Sequence, residues 1–339
     1  MSPKLFNFLS SFGLAILGVA LLFAFTVSFS PSQKFGRNSF PKSNPRTIAA
    51  IGGDITPVNF PASQPVVPLP RDNSEYSATL TARSAYAVDE RSGTVLFSQN
   101  PDEIWPLASI SKIMSAIVIM DLPVRWDATT TVLESDCDAS SHQLIAGEIY
   151  TLDDLWSAAL IGSSNSALRV LVRATGLTEE EFVGRMNKKA KDLGLATLKF
   201  SEPTGLNAAN VGSARDTAEL LKETLRYEKI VTTLKTGEYY IHPLNKEKPR
   251  RVWSTNWLLT KWIPNDFDSK NICGKTGYIG EARYNFTVRL TDSGGHAIIV
   301  VVFGAESDES RFSEARDIAD WVFGRYLWPD EDGYNQLTE

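Results

Sequence analysis

Three short groups of residues stand in a fixed order along the chain: Ser109-Ile110-Ser111-Lys112, Ser163-Ser164-Asn165 and Lys275-Thr276-Gly277. Between them they offer a nucleophilic hydroxyl, two amines, a second hydroxyl and a carboxamide, a set sufficient for acyl transfer without histidine. Ser109 opens an apolar helical run (Ile110, Ile113, Met114, Ile117, Val118) close behind Pro106. Its hydroxyl is therefore expected in a first helical turn, at the positive end of the helix dipole. Positions i and i+3 share a helix face, which puts Lys112 beside Ser109. To take the serine proton Lys112 must be neutral, so its pKa has to fall from about 10.4 to roughly 7, a change worth about 4 kcal/mol. Burial and a second cation both act in that direction, and Lys275 is the candidate for the second cation.

The elements that must hold these residues follow from periodicity. Alternation over residues 84–88 and 94–97, on either side of Asp89-Glu90-Arg91-Ser92-Gly93, reads as a hairpin. Helical patterns come next at 107–121, 152–160, 166–174 and 179–193, the last opened by a capping box of Thr178 with Glu181 and stopped by Gly194. Ser213 with Asp216 opens another helix towards Tyr227. Strand patterns return at 284–290 and 297–303 around the turn Asp292-Ser293-Gly294-Gly295. A final helix over 310–323 puts Phe312, Ala315, Ile318, Ala319, Val322 and Phe323 on one side. Strands at both ends with helices between them imply an α+β fold, an antiparallel sheet closed by distant parts of the chain. Within it Gly162-Ser163-Ser164-Asn165-Ser166 breaks two helical segments with small polar residues, and taken alone reads as a plain helix-helix loop. Lys275-Thr276-Gly277 precedes a strand pattern, with Gly274 and Gly277 allowing backbone to approach a ligand closely.

In this order the groups, S-x-x-K, S-x-N and K-T-G, resemble those of penicillin-binding proteins and serine β-lactamases. The flanks are most similar to the D-alanyl-D-alanine carboxypeptidases of low molecular mass: Ala85-Tyr86-Ala87-Val88-Asp89 through Gly93-Thr94-Val95-Leu96, Pro106-Leu107-Ala108-Ser109, Pro203-Thr204-Gly205-Leu206, Ser213-Ala214-Arg215-Asp216 and Gly274-Lys275-Thr276-Gly277. The resemblance spans residues 77–327 and implies a sheet with helices on its faces and a mostly helical subdomain. It implies that Ser109 attacks the carbonyl between the two terminal D-alanines of a peptidoglycan stem peptide, Lys112 takes its proton, and water hydrolyses the acyl-enzyme. Ser163 would relay a proton to the leaving amine, and Asn165 would orient Lys112 and the substrate amide. Lys275, Thr276 and Gly277 would line the sheet edge, where the lysine and threonine meet the terminal carboxylate. The backbone N–H groups of Ser109 and Tyr278 would form the oxyanion hole. β-Lactams would acylate the same serine and leave slowly, and no metal or cofactor is required. Ser164 stands where these carboxypeptidases usually carry glycine.

Three other activities share this machinery. A β-lactamase would need a water-activating glutamate, and Glu202-Pro203-Thr204-Gly205-Leu206-Asn207 resembles the Glu-x-x-Leu-Asn segment of class A enzymes but is one residue too long. A D,D-endopeptidase would cut cross-links with the same residues, and a non-catalytic sensor of β-lactams or peptidoglycan would stop at the acyl-enzyme. A histidine triad is not expected, because His142, His242 and His296 accompany no G-x-S-x-G elbow.

With 43% hydrophobic residues the 339-residue chain can bury a full core, and its net charge of −6 gives no general basic surface, so nucleic acid is not an expected partner. Its two cysteines, Cys137 and Cys273, could form a disulfide outside the cytoplasm but are expected rather as separate buried thiols, and with three scattered histidines they make no metal motif. Residues 5–30 carry no charge, a length able to cross a hydrocarbon core of about 30 Å, so residues 1–30 are expected to be an uncleaved transmembrane anchor rather than a cleaved signal peptide. Lys34, Arg37, Lys42 and Arg46 after the span, against Lys4 before it, would by charge bias keep the following segment inside. The resemblance argues the opposite, a catalytic domain on the extracytoplasmic side of a bacterial cytoplasmic membrane, and that is the orientation expected. Residues 31–76, rich in proline, read as a linker, residues 77–327 as the catalytic domain, and residues 328–339 as an acidic tail.

Overall fold

The run Ala297-Ile298-Ile299-Val300-Val301-Val302-Phe303-Gly304-Ala305 is apolar throughout and rich in β-branched residues, the signature of a strand covered on both faces. A computed structural model, which describes residues 67–137 and 144–337, puts that run at the centre of a five-stranded antiparallel sheet. Its strands are β1 (Ser84–Asp89), β2 (Val95–Gln99), β3 (Cys273–Ile279), β4 (Arg283–Thr291) and β5 (Ala297–Ala305), in the order β3-β4-β5-β1-β2. β5 joins the two ends of the domain: Val300 lies opposite Ala87 of β1, and Val301 opposite Thr287 of β4.

Because side chains alternate along a strand, β5 feeds two cores. Ile299, Val301 and Phe303 enter the first, built with helices α1 (Ser111–Met120), α2 (Leu152–Leu160), α3 (Asn165–Ala174), α4 (Glu179–Asp192), α5 (Ala214–Thr224) and α6 (Glu228–Leu234). Ile298, Val300 and Val302 enter the second, against α7 (Ser310–Arg325), whose Phe312, Ala315, Ile318, Ala319 and Val322 are fully buried. Each large side chain so buried is worth roughly 1.5–3 kcal/mol, which is what fixes α7 to the sheet. α1 is buried at every position from Ser111 to Ile119 and forms the axis of the helical half.

The expected elements are present, with informative shifts. The β1–β2 hairpin closes as Asp89 accepts from the Ser92 backbone at 2.7 Å and its hydroxyl at 2.6 Å. The α4 capping box forms with both Thr178 and Glu181 engaged. The segment expected as one helix from residue 107 opens instead with a 3-10 turn, Ala108–Ile110. The helix towards Tyr227 ends at Thr224, and α6 follows as a separate element. Lys275-Thr276-Gly277 does not precede a strand but lies inside β3, since its register with Thr287, Phe286 and Asn285 satisfies the ladder.

Residues 67–76, expected as linker, pack on the domain. Leu69–Pro70 pairs with Tyr326–Leu327, and the Tyr76 ring meets Phe97 at 5.2 Å and Trp321 at 5.6 Å. The expected acidic tail is tied down in the same region: buried Trp328 donates to Asp89 at 2.8 Å, and the Tyr334 hydroxyl to the Val67 carbonyl at 2.7 Å. Both cysteines are free, Cys273 buried and Cys137 partly exposed rather than buried. The expected membrane anchor, residues 31–66 of the linker and His142 lie outside the described residues. Among the described residues no helix is long and apolar enough to cross a membrane.

Candidate active site

The turn that carries Ser109 is held from three sides. Leu107 donates its backbone N–H to Asn210 O at 2.8 Å. The carboxamide of Asn285, on β4, donates to Pro106 O at 2.8 Å and Leu107 O at 3.3 Å while accepting from Gly304 N at 2.9 Å. This clamp holds Ala108 at φ +50°, a left-handed conformation that costs a residue with a Cβ roughly 1–2 kcal/mol. Two glycines make the packing feasible. A Cβ on Gly205 would lie 1.9 Å from Ala108 O, and one on Gly277 would lie 2.7 Å from Leu107 O and 3.2 Å from Ser109 N. Ser109 itself stays partly open between buried Ala108 and Ile110.

Lys112, one helical turn on, is wholly buried. Its Nζ donates to Ser109 Oγ at 2.9 Å, to Asn165 Oδ1 at 2.6 Å and to Thr204 O at 2.6 Å. Asn165 opens α3, and the preceding residue explains the serine at position 164: its Oγ caps the helix by accepting from Ala167 N at 3.2 Å. Ser163 takes φ +57°, with the Ser164 N–H bonded back to Ala158 O at 3.1 Å. The break between α2 and α3 is thus a built turn that aims two side chains into one cleft, not a plain loop.

From the opposite wall Lys275 of β3 donates to Ser163 Oγ at 2.7 Å and to Thr276 O at 3.1 Å. Burial, then the charges of Lys112 and Arg311, hold its amine well below the ordinary lysine value. Coulomb repulsion is reciprocal, so the same pairing disfavours charge on Lys112. Thr276 shares a 2.6 Å hydrogen bond with the hydroxyl of Thr255, whose backbone N–H reaches Ile161 O at 3.2 Å and so joins the second and third groups. Tyr278, next along β3, has an exposed ring 4.5 Å from that of Tyr284. The structure therefore gathers Ser109, Lys112, Ser163, Asn165, Lys275 and Thr276 into one largely buried polar cluster, with Gly277 packed against the Ser109 turn, and brings no histidine to it among the described residues. His296 instead bridges Asp292 at 2.8 Å and Asp330 at 2.9 Å, with its ring stacked on Trp328.

Residues not assigned to this site from the sequence complete it. Arg311 of α7 donates to Gly277 O at 3.2 Å, packs on Phe312 and Tyr284, and pairs with Asp308. Burial outweighs Asp308 and pulls its pKa down to about 10. Glu202 accepts from Thr204 N at 2.7 Å, Thr204 Oγ1 at 2.6 Å and Asn210 Nδ2 at 3.1 Å. It therefore shapes the loop that presents Thr204 O to Lys112. A carboxamide in the middle of an apolar strand pattern was the available signal for Asn285. Arg311 gave none, because its role depends on how α7 lies against β3 and β4.

The sequence matches the family model described as D-alanyl-D-alanine carboxypeptidase, Peptidase S11, over residues 71–307. It is 34% identical over 253 residues to D-alanyl-D-alanine carboxypeptidase DacF of Bacillus subtilis, covering 72% of this chain and 63% of that protein. It is also 30% identical over 248 residues to a D-alanyl-D-alanine endopeptidase of Escherichia coli, covering 72% of this chain and 77% of the relative. The crystal structure of the Streptomyces K15 DD-transpeptidase superposes with a TM-score of 0.67 at 26% identity, over 74% of this chain and 100% of that one.

Proposed function

The chain belongs to the D-alanyl-D-alanine carboxypeptidase family of serine peptidases, and from that premise we propose that it removes the terminal D-alanine from peptidoglycan stem peptides through an acyl-enzyme on Ser109. The observation that carries the reading is the position of Lys112, buried and 2.9 Å from Ser109 Oγ with Asn165 Oδ1 and Thr204 O as further partners. A neutral amine has two N–H donors and one lone pair. Donating the two N–H groups to the amide and carbonyl oxygens leaves the lone pair facing the serine proton. Lys112 is then the base for acylation.

The second half of the cleft supplies the return of that proton. Ser163, bonded to Lys275, stands as the relay to the departing amine, and Asn165 fixes Lys112 and the substrate amide. The backbone N–H groups of Ser109 and Tyr278 receive the developing oxyanion, and Lys275 with Thr276 meets the terminal carboxylate. Glu202, engaged by its own loop, has no part in activating the deacylating water, which separates this reading from a β-lactamase. Release of a single D-alanine is proposed over cleavage of cross-links, and the attachment of the domain to the outer face of the cytoplasmic membrane by the first 30 residues is part of the same proposal. The test is D-alanine release from a D-Ala-D-Ala pentapeptide, run beside a cross-linked peptide dimer and a fluorescent penicillin. Pentapeptide turnover and penicillin labelling, both lost in Ser109→Ala, are expected. Faster cleavage of the dimer would make it an endopeptidase, rapid hydrolysis of penicillin a lactamase, and labelling without turnover a sensor.

A further inference from the structure

The hairpin of Glu238–Ile241 with Arg250–Trp253 has two unlike faces. Side chains alternate along each strand, so Tyr239 and Val252, partners in register, turn inward and pack with the helical core. The pairs Tyr240 with Arg251 and Glu238 with Trp253 share the outward face. There the Arg251 guanidinium lies over the Trp253 ring, 3.6 Å from its centre, and 5.8 Å from the centre of the Tyr240 ring. Its Nε donates to Glu238 Oε2 at 2.9 Å, which fixes the guanidinium plane and balances its charge. Tyr240 is nonetheless 43% exposed and Trp253 53% exposed. With one ring face under a guanidinium, exposure that large leaves the other face of Trp253 open. Two aromatic side chains held side by side in water stabilise the hairpin little, and such a surface is suited to a ligand.

The same hairpin is fastened to the catalytic cluster. Ser254 N–H bonds Gly237 O at 2.8 Å and closes its base, and the Thr255 hydroxyl, two residues after Trp253, meets that of Thr276 at 2.6 Å. Trp253 is thus separated from Thr255 by at most about 7 Å of chain. We propose that Tyr240, Arg251 and Trp253, held by Glu238, form a platform for the glycan strand of peptidoglycan. A pyranose ring offers an apolar C–H face to the indole, while its hydroxyl and acetamido groups reach the carboxylate and guanidinium at the rim. Because Glu238 balances Arg251, the surface presents hydrogen-bonding groups without net charge, which fits a neutral sugar better than an anionic polymer or an anionic lipid surface. A strand held there keeps several stem ends near Ser109 and raises their effective concentration without any new contact to the scissile bond. The platform rests on the reading of the chain as a peptidoglycan peptidase, but not on the acylation chemistry of Ser109.

The test uses the purified full chain. Binding of a soluble N-acetylglucosamine hexamer is read by calorimetry, and D-alanine release is read from uncross-linked polymeric peptidoglycan and from a free D-Ala-D-Ala pentapeptide. Wild type is expected to bind the hexamer. Trp253→Ala and Tyr240→Ala should each weaken binding about tenfold, the loss of one stacked ring, and Trp253→Phe should recover part of it. Trp253→Ala should raise KM for the polymer about five- to tenfold with kcat unchanged. Pentapeptide turnover and penicillin labelling should stay as in wild type, which also shows the fold intact. Hexamer binding should hold between about 50 and 500 mM salt. Absence of hexamer binding by wild type, equal binding by the alanine variants, or a loss on polymer shared by the free pentapeptide would overturn the platform. So would binding that falls steeply with salt, or retention on anionic phospholipid vesicles in place of the hexamer. Hexamer binding that depends on Trp253, without D-alanine release from any substrate, would uphold the glycan surface and fail the peptidase reading, so the two failures are distinguishable.

Discussion

Replacing Glu202 by glutamine separates a loop-shaping carboxylate from a water-activating one. Oε2 accepts from Thr204 N at 2.7 Å and Thr204 Oγ1 at 2.6 Å, and Oε1 from Gly205 N at 2.5 Å and Asn210 Nδ2 at 3.1 Å. All of these partners donate, so a glutamine NH2 faces donors in either orientation. In the better one the Thr204 hydroxyl turns to accept, but the Thr204 N–H is left without an acceptor and the remaining bonds lose their ionic strengthening. Together these changes are worth about 2–4 kcal/mol. For a domain of this size that lowers Tm by roughly 5–15 °C. Thr204 O, 2.6 Å from Lys112 Nζ, moves with the loop, so acylation by fluorescent penicillin should slow together with the loss of stability. Thermal melts and the two rates, labelling and loss of label, are the assay. An unchanged Tm and labelling rate with a persistent acyl-enzyme would refute the reasoning, because that is how a glutamate serving only the deacylating water behaves.

Gly277→Ala places a Cβ 2.7 Å from Leu107 O and 3.1 Å from Ala108 Cβ, which should cost about 1–3 kcal/mol and slow penicillin acylation about ten- to hundredfold; an unaltered acylation rate would show that β3 does not position the nucleophile. Burial opposes charge on His296, but its bonds to Asp292 and Asp330 prevail and raise its pKa above 6.5. Its stabilisation is therefore complete below the unfolded value and fades as pH rises through the folded one, so the Tm gap between wild type and His296→Gln should be widest in acid and shrink above neutrality. A gap independent of pH would contradict the bridge. Lys275, proposed to meet the substrate carboxylate as a cation, is pushed well below its ordinary 10.5, so penicillin labelling should decline with rising pH before a free lysine would lose its proton; a rate undiminished through pH 10.5 would be inconsistent with that.

What the sequence revealed of the site was whatever local geometry dictates. Ser109 and Lys112 are brought together by a three-residue spacing, and the capping box at Thr178 fixed the start of α4. The strand assignment of Lys275 escaped because the glycines at 274 and 277 read as places where backbone approaches a ligand, whereas they are needed for close contact with Val288 and Leu107 inside a ladder. Thr204, Asn285 and Arg311 act through carbonyls and contacts between elements distant in sequence, which no period or spacing encodes. The same is true of the domain edges: proline content marked residues 67–76 as linker, but Tyr76 and Leu69 find partners only once α7 and the residues after it are in place.

The most direct measurement is the mass of the intact chain after exposure to a penicillin, followed by peptide mapping of the adduct. One penicillin on the peptide containing Ser109, absent in Ser109→Ala and strongly slowed in Lys112→Ala, is the expected result. An adduct on another residue, or full labelling without Lys112, would contradict a serine nucleophile activated by its neighbouring amine.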